Sequence, residues 1–311
     1  MTRLPEPGQA IRLAGPWAHR DVSANGSRFH LVQMGEGPLV VCLHGFPQYW
    51  YAWRKYLPQI AAAGFTAVAV DLRGYGGSDH PPDGYNPYTL SADVAGVIAV
   101  LGFEDAAVVG HGWGGQIGWT MTTAHPKSIR NLVAISAPHP RRLRESLIKQ
   151  RGQLNATLER FMMQIPWWTE RTLRAGDAIE VEKILRRWST STGWLTPEVA
   201  GNYRAAMKVL DTAHCSLEYA RWATRSLYRT DGINYFKLMS EPTTVPVLQI
   251  HGQKDRLVLA ETARGSDEYV SGRYEFLELP DVGHFPHEEA ADELVGLVTN
   301  WLSQPANRID R

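Results

Sequence analysis

Short apolar runs and amphipathic segments alternate along the first 140 residues of this 311-residue chain. Runs rich in Val, Ala, Leu and Ile have the length and composition of buried strands. Between them, apolar residues recur at helical spacing, and this alternation predicts a parallel sheet with helices on both faces. The predicted strands cover residues 39–43, 67–70, 106–109 and 132–135, and the predicted helices cover 51–63, 91–101 and 113–125.

The pattern changes after Pro140, because no strand-like run follows for about 100 residues. Met, Trp, Leu and Arg recur there at helical spacing, which predicts an all-helical insertion over residues 141–239. Strand patterns return at 245–250 and 274–279, and a long amphipathic helix is predicted for 288–303. We therefore expect a discontinuous α/β core, residues 1–140 and 240–311, with a helical lid or cap inserted between its parts.

Composition narrows the possible partners and the compartment. Lys plus Arg and Asp plus Glu both total 32, so the net charge is zero and no overall field favours nucleic acid or a membrane surface. No apolar run reaches the roughly 18 residues that a transmembrane helix needs. The two cysteines, Cys42 and Cys215, fit a reducing compartment, and a cytoplasmic location is expected.

One short segment has the pattern of a catalytic turn without its catalytic residue. Residues 109–115 read Val-Gly-His-Gly-Trp-Gly-Gly between a predicted strand and a predicted helix. In a nucleophile elbow, Gly-x-Nuc-x-Gly, the central residue is held on a tight turn toward the substrate. Here that position is Gly112, which has no side chain.

Three further strand ends carry candidate chemistry, since ligands of doubly wound sheets bind outside the carboxyl ends of the strands. The sequence His-Gly-Phe-Pro at 44–47 follows the first predicted strand, and its Phe46 N–H is a candidate oxyanion donor. Asp255 follows the strand at 245–250, and His284 follows the strand at 274–279. The order elbow, Asp, His is typical of the α/β-hydrolase triad.

With these motifs in this order, the chain resembles the epoxide-hydrolase-like branch of the α/β-hydrolases, a branch related to the haloalkane dehalogenases. The resemblance implies the α/β-hydrolase fold, a mostly parallel doubly wound sheet with an inserted helical lid. No metal is expected, because the histidines at 44, 111, 139 and 287 form no ligand cluster that the sequence identifies, and no cofactor is expected. The resemblance rests on residues 44–47 with Trp50 and Trp53, on 71–79 (Asp-Leu-Arg-Gly-Tyr-Gly-Gly-Ser-Asp), on the elbow, on 138–140 (Pro-His-Pro), and on the loops with Asp255 and His284.

The resemblance also assigns roles to residues of the site. Asp255 would orient His284 and stabilise its imidazolium, and His284 would activate a water. The backbone N–H groups of Phe46 and Trp113 would form the oxyanion hole, and Trp113 would also line the substrate pocket. The family attacks its substrate through an aspartate at the elbow, a reaction that Gly112 cannot carry out.

The lid shows a second departure from the family, whose epoxide hydrolases use two lid tyrosines to donate hydrogen bonds to the epoxide oxygen. Alignment places Phe236 at one of these pocket positions and Glu159 at the other. A shift of one residue would place Tyr235 at the first position instead. An engineered substitution would account for Gly112 alone but not for Phe236 and Glu159, so a natural change is favoured.

Two functional hypotheses follow. In the first, the His284–Asp255 dyad acts as a general base on a small apolar substrate without a covalent intermediate. In the second, the chain is a catalytically silent protein that binds an apolar ligand under the lid. The amphipathic lid pattern is compatible with either a monomer or a homodimer.

Overall fold

A computed structural model describes residues 4–304, without the side chains of residues 158–162. Its sheet has the strand order β1-β2-β4-β3-β5-β6-β7-β8. The pairs from β4 onward in that order are parallel, whereas β1 and β2 form an antiparallel edge. The strands are β1 Ala18–Ala24, β2 Ser27–Met34, β3 Leu39–Leu43, β4 Thr66–Val70, β5 Ala106–His111, β6 Ile129–Ile135, β7 Val247–Gly252 and β8 Tyr274–Leu279.

The central strands form where the apolar runs predict them. Every residue of β3, β4, β5 and β7 is buried, because helices cover both faces of the sheet. Several boundaries differ: β4 begins one residue and β6 three residues before the predicted start, β5 ends two residues later, and the strand expected at 245–250 runs from Val247 to Gly252. Pro246 has no N–H to contribute to a ladder, and the paired register begins with Leu132 opposite Val247.

The hairpin of β1 and β2 is absent from the sequence-based predictions. Five of the seven β1 residues are partly or fully exposed, so this edge strand lacks the apolar run that marks the central strands. Its turn was a usable signal, because Asn25 and Gly26 have φ of 45° and 74°. Asn-Gly is the preferred pair for a two-residue hairpin turn that needs positive φ at both positions.

Helices cover both faces, and none in the described part of the chain is long and apolar enough to cross a membrane. Between β6 and β7, the described residues form six helices and no strand, as the helical pattern predicts. That this segment is a separate lid remains a prediction. The helices are α1 Pro7–Ile11, α2 Tyr56–Ala62, α3 Pro87–Val100, α4 Trp113–Ala124, α5 Pro140–Lys149, α6 Arg151–Met162, α7 Trp168–Trp188, α8 Pro197–Met207, α9 Thr212–Arg225, α10 Thr230–Leu238, α11 Ala260–Ala263, α12 Pro286–Glu289 and α13 Ala291–Ser303, with 3₁₀ turns at Trp50–Trp53 and Ser266–Tyr269.

Several predicted helices have different ends. The helix expected at 51–63 divides into a 3₁₀ turn and α2, and the one expected at 288–303 divides into α12 and α13, with Ala290 outside the helical conformation between them at φ −128° and ψ 35°. The helix expected from residue 91 begins at Pro87. Its cap is Asn86, whose side chain accepts a hydrogen bond from Thr89 N–H, and proline is favoured in the first turn that follows.

Candidate active site

The elbow predicted at residues 109–115 is a strand–turn–helix. Strand β5 ends at His111, α4 begins at Trp113, and Gly112 lies between them with φ 53° and ψ −113°. A Cβ at Gly110 would lie 2.4 Å from the Gly114 backbone, so the turn is tight enough to require glycine there. The sequence therefore predicts this local geometry correctly.

Position 112 faces the candidate base. A Cβ built on Gly112 would meet only Gly45 Cα at 3.6 Å and His284 Nε2 at 4.0 Å, both ordinary van der Waals separations. A side chain at this position would thus point toward the imidazole without a steric clash. The positive φ would still strain any residue other than glycine.

Asp255 and His284 form a buried hydrogen-bonded pair. His284 Nδ1 donates to Asp255 Oδ2 over 2.7 Å, and each residue is 3% exposed. The other carboxylate oxygen of Asp255 accepts the N–H groups of Leu257 and Val258 at 2.8 and 3.0 Å. Burial alone would raise the pKa of Asp255, but the attraction and hydrogen bond of His284 outweigh it and lower that pKa. Asp255 is therefore an ionised orienting group, and Nε2 is the ring nitrogen that faces the elbow.

Buried histidines support the backbone of the loop that carries His284. His111 Nε2 donates to the carbonyl oxygen of His284 over 2.9 Å, and its ring packs on His287 with centroids 4.2 Å apart. Burial lowers the pKa of His111 and His287 well below the ordinary value, and it lowers that of His44 to about 4. These rings are thus neutral structural groups. The described residues contain no group of side chains placed to hold a metal ion.

A small cavity of about 50 Å³ brings the predicted site residues together. Gly112 and His284 line it together with both predicted oxyanion residues, Phe46 and Trp113. A cavity whose volume, measured in the same way, is only about 10–15 Å³ can hold a water. The space beside His284 Nε2 is therefore large enough for a water and one reacting group of a substrate.

Ser136 is a polar lining residue of this cavity that sequence reasoning missed. It follows β6, has φ 49°, and is 2% exposed, and its Oγ has no hydrogen-bond partner in the described part of the chain. Its position at a strand end beside the elbow was an available signal, since Gly112 N–H donates to the adjacent Ile135 carbonyl over 3.0 Å. A serine is common enough at such positions to pass unnoticed.

A second cavity of about 220 Å³ adjoins the first, and Trp113, Gln116, Leu143 and Ala220 line both. Its lining is mostly apolar, and it includes Tyr235 and Phe236. The structure therefore places these two predicted residues in the adjoining cavity and not among the described residues that line the smaller one.

Neither residue of that pair presents a free hydroxyl. The Tyr235 hydroxyl is 2.9 Å from Thr120 Oγ1, within hydrogen-bond distance, and Phe236 has no hydroxyl. The third predicted pocket residue, Glu159, belongs to residues 158–162, outside the side chains that the structure describes.

Comparison with known proteins identifies the family of the fold. Residues 38–291 match the family of the alpha/beta hydrolase fold. The chain belongs to this family. It is 28% identical over 291 residues to epoxide hydrolase 4 of Mus musculus, covering 92% of this chain and 79% of that protein. It is 37% identical over 212 residues to epoxide hydrolase B of Mycobacterium tuberculosis strain H37Rv, covering 64% and 59%.

Solved structures extend the likeness to the whole fold. A crystal structure of a Bacillus megaterium epoxide hydrolase in complex with an inhibitor superposes with a TM-score of 0.83 at 26% identity. The match covers 92% of this chain and 100% of that one. The expected fold class is therefore confirmed, and the chain is an α/β-hydrolase similar to epoxide hydrolases.

Proposed function

We propose that this α/β-hydrolase activates water directly through the His284–Asp255 dyad and has lost the covalent step of its epoxide-hydrolase-like relatives. The observation that carries the proposal is the arrangement at the elbow. Gly112 occupies the nucleophile position, and the nearest functional group to it is the His284 imidazole, which remains paired with Asp255. The base is retained, whereas the group that it would ordinarily serve is absent.

In this reaction His284 Nε2 removes a proton from a water as the water oxygen attacks the electrophilic carbon of the substrate. The bond from that carbon to its leaving group then breaks, and the imidazolium returns the proton to the leaving group. Asp255 stabilises the imidazolium that forms, and the Phe46 and Trp113 N–H groups face the developing negative charge. A positioned general base contributes roughly 10² to 10⁴ in rate, whereas loss of a triad nucleophile costs about 10⁶. The substrate is therefore an activated one, such as a reactive ester, held by the apolar cavity next to the dyad.

The proposal includes the remaining expectations from the sequence. The helical segment 141–239 acts as the lid over this small apolar substrate, with Trp113, Tyr235, Phe236 and Glu159 as pocket residues. A cytoplasmic location and a monomeric or homodimeric state remain predictions, as does independence from cofactors.

Isotope labelling and substitution of the dyad test this function. A panel of aryl epoxides, haloalkanes and activated esters is screened, and each responsive substrate is followed through one turnover in H₂¹⁸O. Direct attack places the label in the product of that first turnover. His284→Ala and Asp255→Asn should lower the rate by a factor on the order of 10² to 10⁴.

Asp281→Asn is the matched control, because its carboxylate is 83% exposed and pairs with Lys254 on the surface. It should leave the rate unchanged. A first-turnover product of an epoxide or haloalkane that carries no label would show a covalent intermediate, because its new oxygen would come from the protein. Wild-type rates in His284→Ala with every responsive substrate would also contradict the proposal.

A second candidate is a catalytically silent binding protein, which the adjoining cavity favours. Its volume of about 220 Å³ exceeds the roughly 150 Å³ of an apolar cavity known to bind benzene, and Phe236 supplies no hydroxyl to a reacting oxygen. Saturable binding of an apolar ligand, with no product detected by mass spectrometry across the panel, would support this candidate over the first.

A further inference from the structure

The larger cavity has polar groups in its lining, but almost all of them are already hydrogen-bonded within the protein. The Gln116 amide nitrogen donates to Pro138 O over 2.8 Å, and the Trp222 indole N–H donates to Asp231. Six lining hydroxyls likewise have partners in the protein. They belong to Tyr85, Tyr219, Tyr235, Thr157, Thr224 and Ser226.

Arg144 differs from the rest of this lining. It is the one charged residue among the described residues that line the cavity, and it is half-buried. None of its five N–H donors has a hydrogen-bond or ion-pair partner in the described part of the chain, and its Nε is fully buried. Its guanidinium lies over the Phe236 ring, with Cζ 4.7 Å from the centroid.

The neighbouring carboxylate on α5 does not compensate this charge. Glu145 Oε1 lies 3.6 Å from Arg141 Nη2, and Glu145 Oε2 lies 3.7 Å from Lys149 Nζ. Glu145 also accepts a hydrogen bond from the Tyr269 hydroxyl over 2.8 Å. The contact with Phe236 offers a cation the face of a ring but satisfies no N–H donor. Among the described residues, therefore, no hydrogen-bond acceptor engages the N–H donors of this half-buried guanidinium beside the apolar cavity.

The position of Arg144 relative to the dyad indicates how a ligand bound in the larger cavity would be oriented. Its chain neighbour Leu143 lines both cavities, whereas Arg144 and Phe236 line only the larger one. A ligand that met Arg144 could extend its apolar part past Leu143 and Trp113 toward His284. The cation therefore lies in the part of the lining that the larger cavity does not share with the small one.

We propose that the larger cavity binds an amphipathic carboxylate, with its anionic end on the Arg144 guanidinium and its apolar body directed toward the small cavity. Arginine matches a carboxylate through paired, charge-assisted hydrogen bonds. As a statement about the substrate, this rests on the function proposed above. As a statement about binding, it stands on the cavity and Arg144 alone.

Calorimetric titration with two near-isosteric probes tests the proposal: 3-phenylpropanoate, which is anionic, and 3-phenylpropanamide, which is neutral. Wild type should bind the carboxylate at least about tenfold more tightly than the amide. Arg144→Met should remove that preference by weakening carboxylate binding roughly ten- to hundred-fold while leaving amide binding unchanged. Lys149→Met is the matched control, since it removes a cation of the same helix that is 70% exposed, and it should retain the preference.

Amide binding by Arg144→Met reports that its cavity is intact. If this variant loses amide binding as well, Arg144→Gln repeats the test with a polar side chain and no charge. Equal affinity of wild type for the two probes, no binding of either, or a preference retained without the arginine would overturn the proposal. Binding by His284→Ala at wild-type affinity, with hydrolysis absent from wild type, would reject the hydrolytic function and leave the carboxylate site standing.

Discussion

Replacing Gly112 by aspartate is the most direct test of the elbow, because its effects on stability and on chemistry have separate causes. The new Cβ meets no atom closer than 3.6 Å, so steric overlap costs little. The backbone at φ 53° and ψ −113° is unfavourable for a residue with a side chain and costs about 1–3 kcal/mol. For a chain of this size, that cost corresponds to a fall in Tm of about 2–5 °C.

The same substitution places a carboxylate near His284 Nε2, the arrangement from which a covalent ester could form and be hydrolysed. A triad nucleophile is worth about 10⁶ in rate, and missing hydrogen-bond donors to the epoxide oxygen cost about 10² to 10³. Wild type has the same Phe236 and Glu159, so that cost falls on both proteins, and we expect Gly112→Asp to raise epoxide turnover over wild type by up to roughly 10⁶-fold.

The assay combines thermal unfolding, epoxide turnover, and mass spectrometry of Gly112→Asp in a His284→Gln background, where the ester should accumulate. Gly112→Ala is the control, since it carries the same backbone strain without a carboxylate. It should show the fall in Tm and no gain in activity. Robust epoxide turnover by wild type would refute the reasoning about the chemistry. A Gly112→Ala protein as stable as wild type would refute the reasoning about the strain.

Two further predictions concern stability. Glu288 is buried and accepts two hydrogen bonds from Arg54, at 2.7 and 3.0 Å, so Glu288→Gln should lower the free energy of unfolding by about 3–5 kcal/mol in urea titrations. Asp292→Asn, at a surface pair, should change it by less than about 0.5 kcal/mol, and equal effects would contradict this account. Burial lowers the pKa of His139 to about 3, so the unfolded chain binds more protons than the folded one between about pH 6.5 and pH 3, and stability rises with pH there. His139→Phe should therefore reduce the stability lost between pH 7 and pH 5 by about 2 kcal/mol, and an unchanged loss would argue against a neutral His139.

The sequence predicts best those strands that are buried on both faces of the sheet. Strands β3, β4, β5 and β7 are buried throughout, so their apolar runs stand out without any knowledge of the tertiary structure. The edge strand β1 has only Val22 and Ala24 buried, and its position follows from pairing with β2. Such a strand gives a weak pattern by itself, and only the Asn-Gly turn marks it.

The candidate site was predictable where a residue lies at a strand end. Asp255, His284 and Phe46 each follow a strand, and parallel strands bring their carboxyl ends to one edge of the sheet, so these residues meet as expected. Arg144 lies on α5, in a stretch of three arginines within four residues. Its contact with Phe236 joins α5 to α10, which are far apart in the sequence, so no spacing along the chain shows it.

Gly112 matters both for the local fold of the elbow and for the chemistry of the site. Glycine relieves the strain that the turn imposes on other residues, and it leaves space beside His284. Under the proposed function, the same residue also takes the place of the group that His284 would otherwise assist. If the dyad served only a covalent step, His284 and Asp255 would have no catalytic use beside Gly112, although their 2.7 Å pair is buried. The proposed attack by water gives the dyad a reaction that needs no side chain at position 112. The effect of His284→Ala on turnover is therefore the measurement that separates a hydrolase with a direct mechanism from a scaffold that retains its dyad for structure alone.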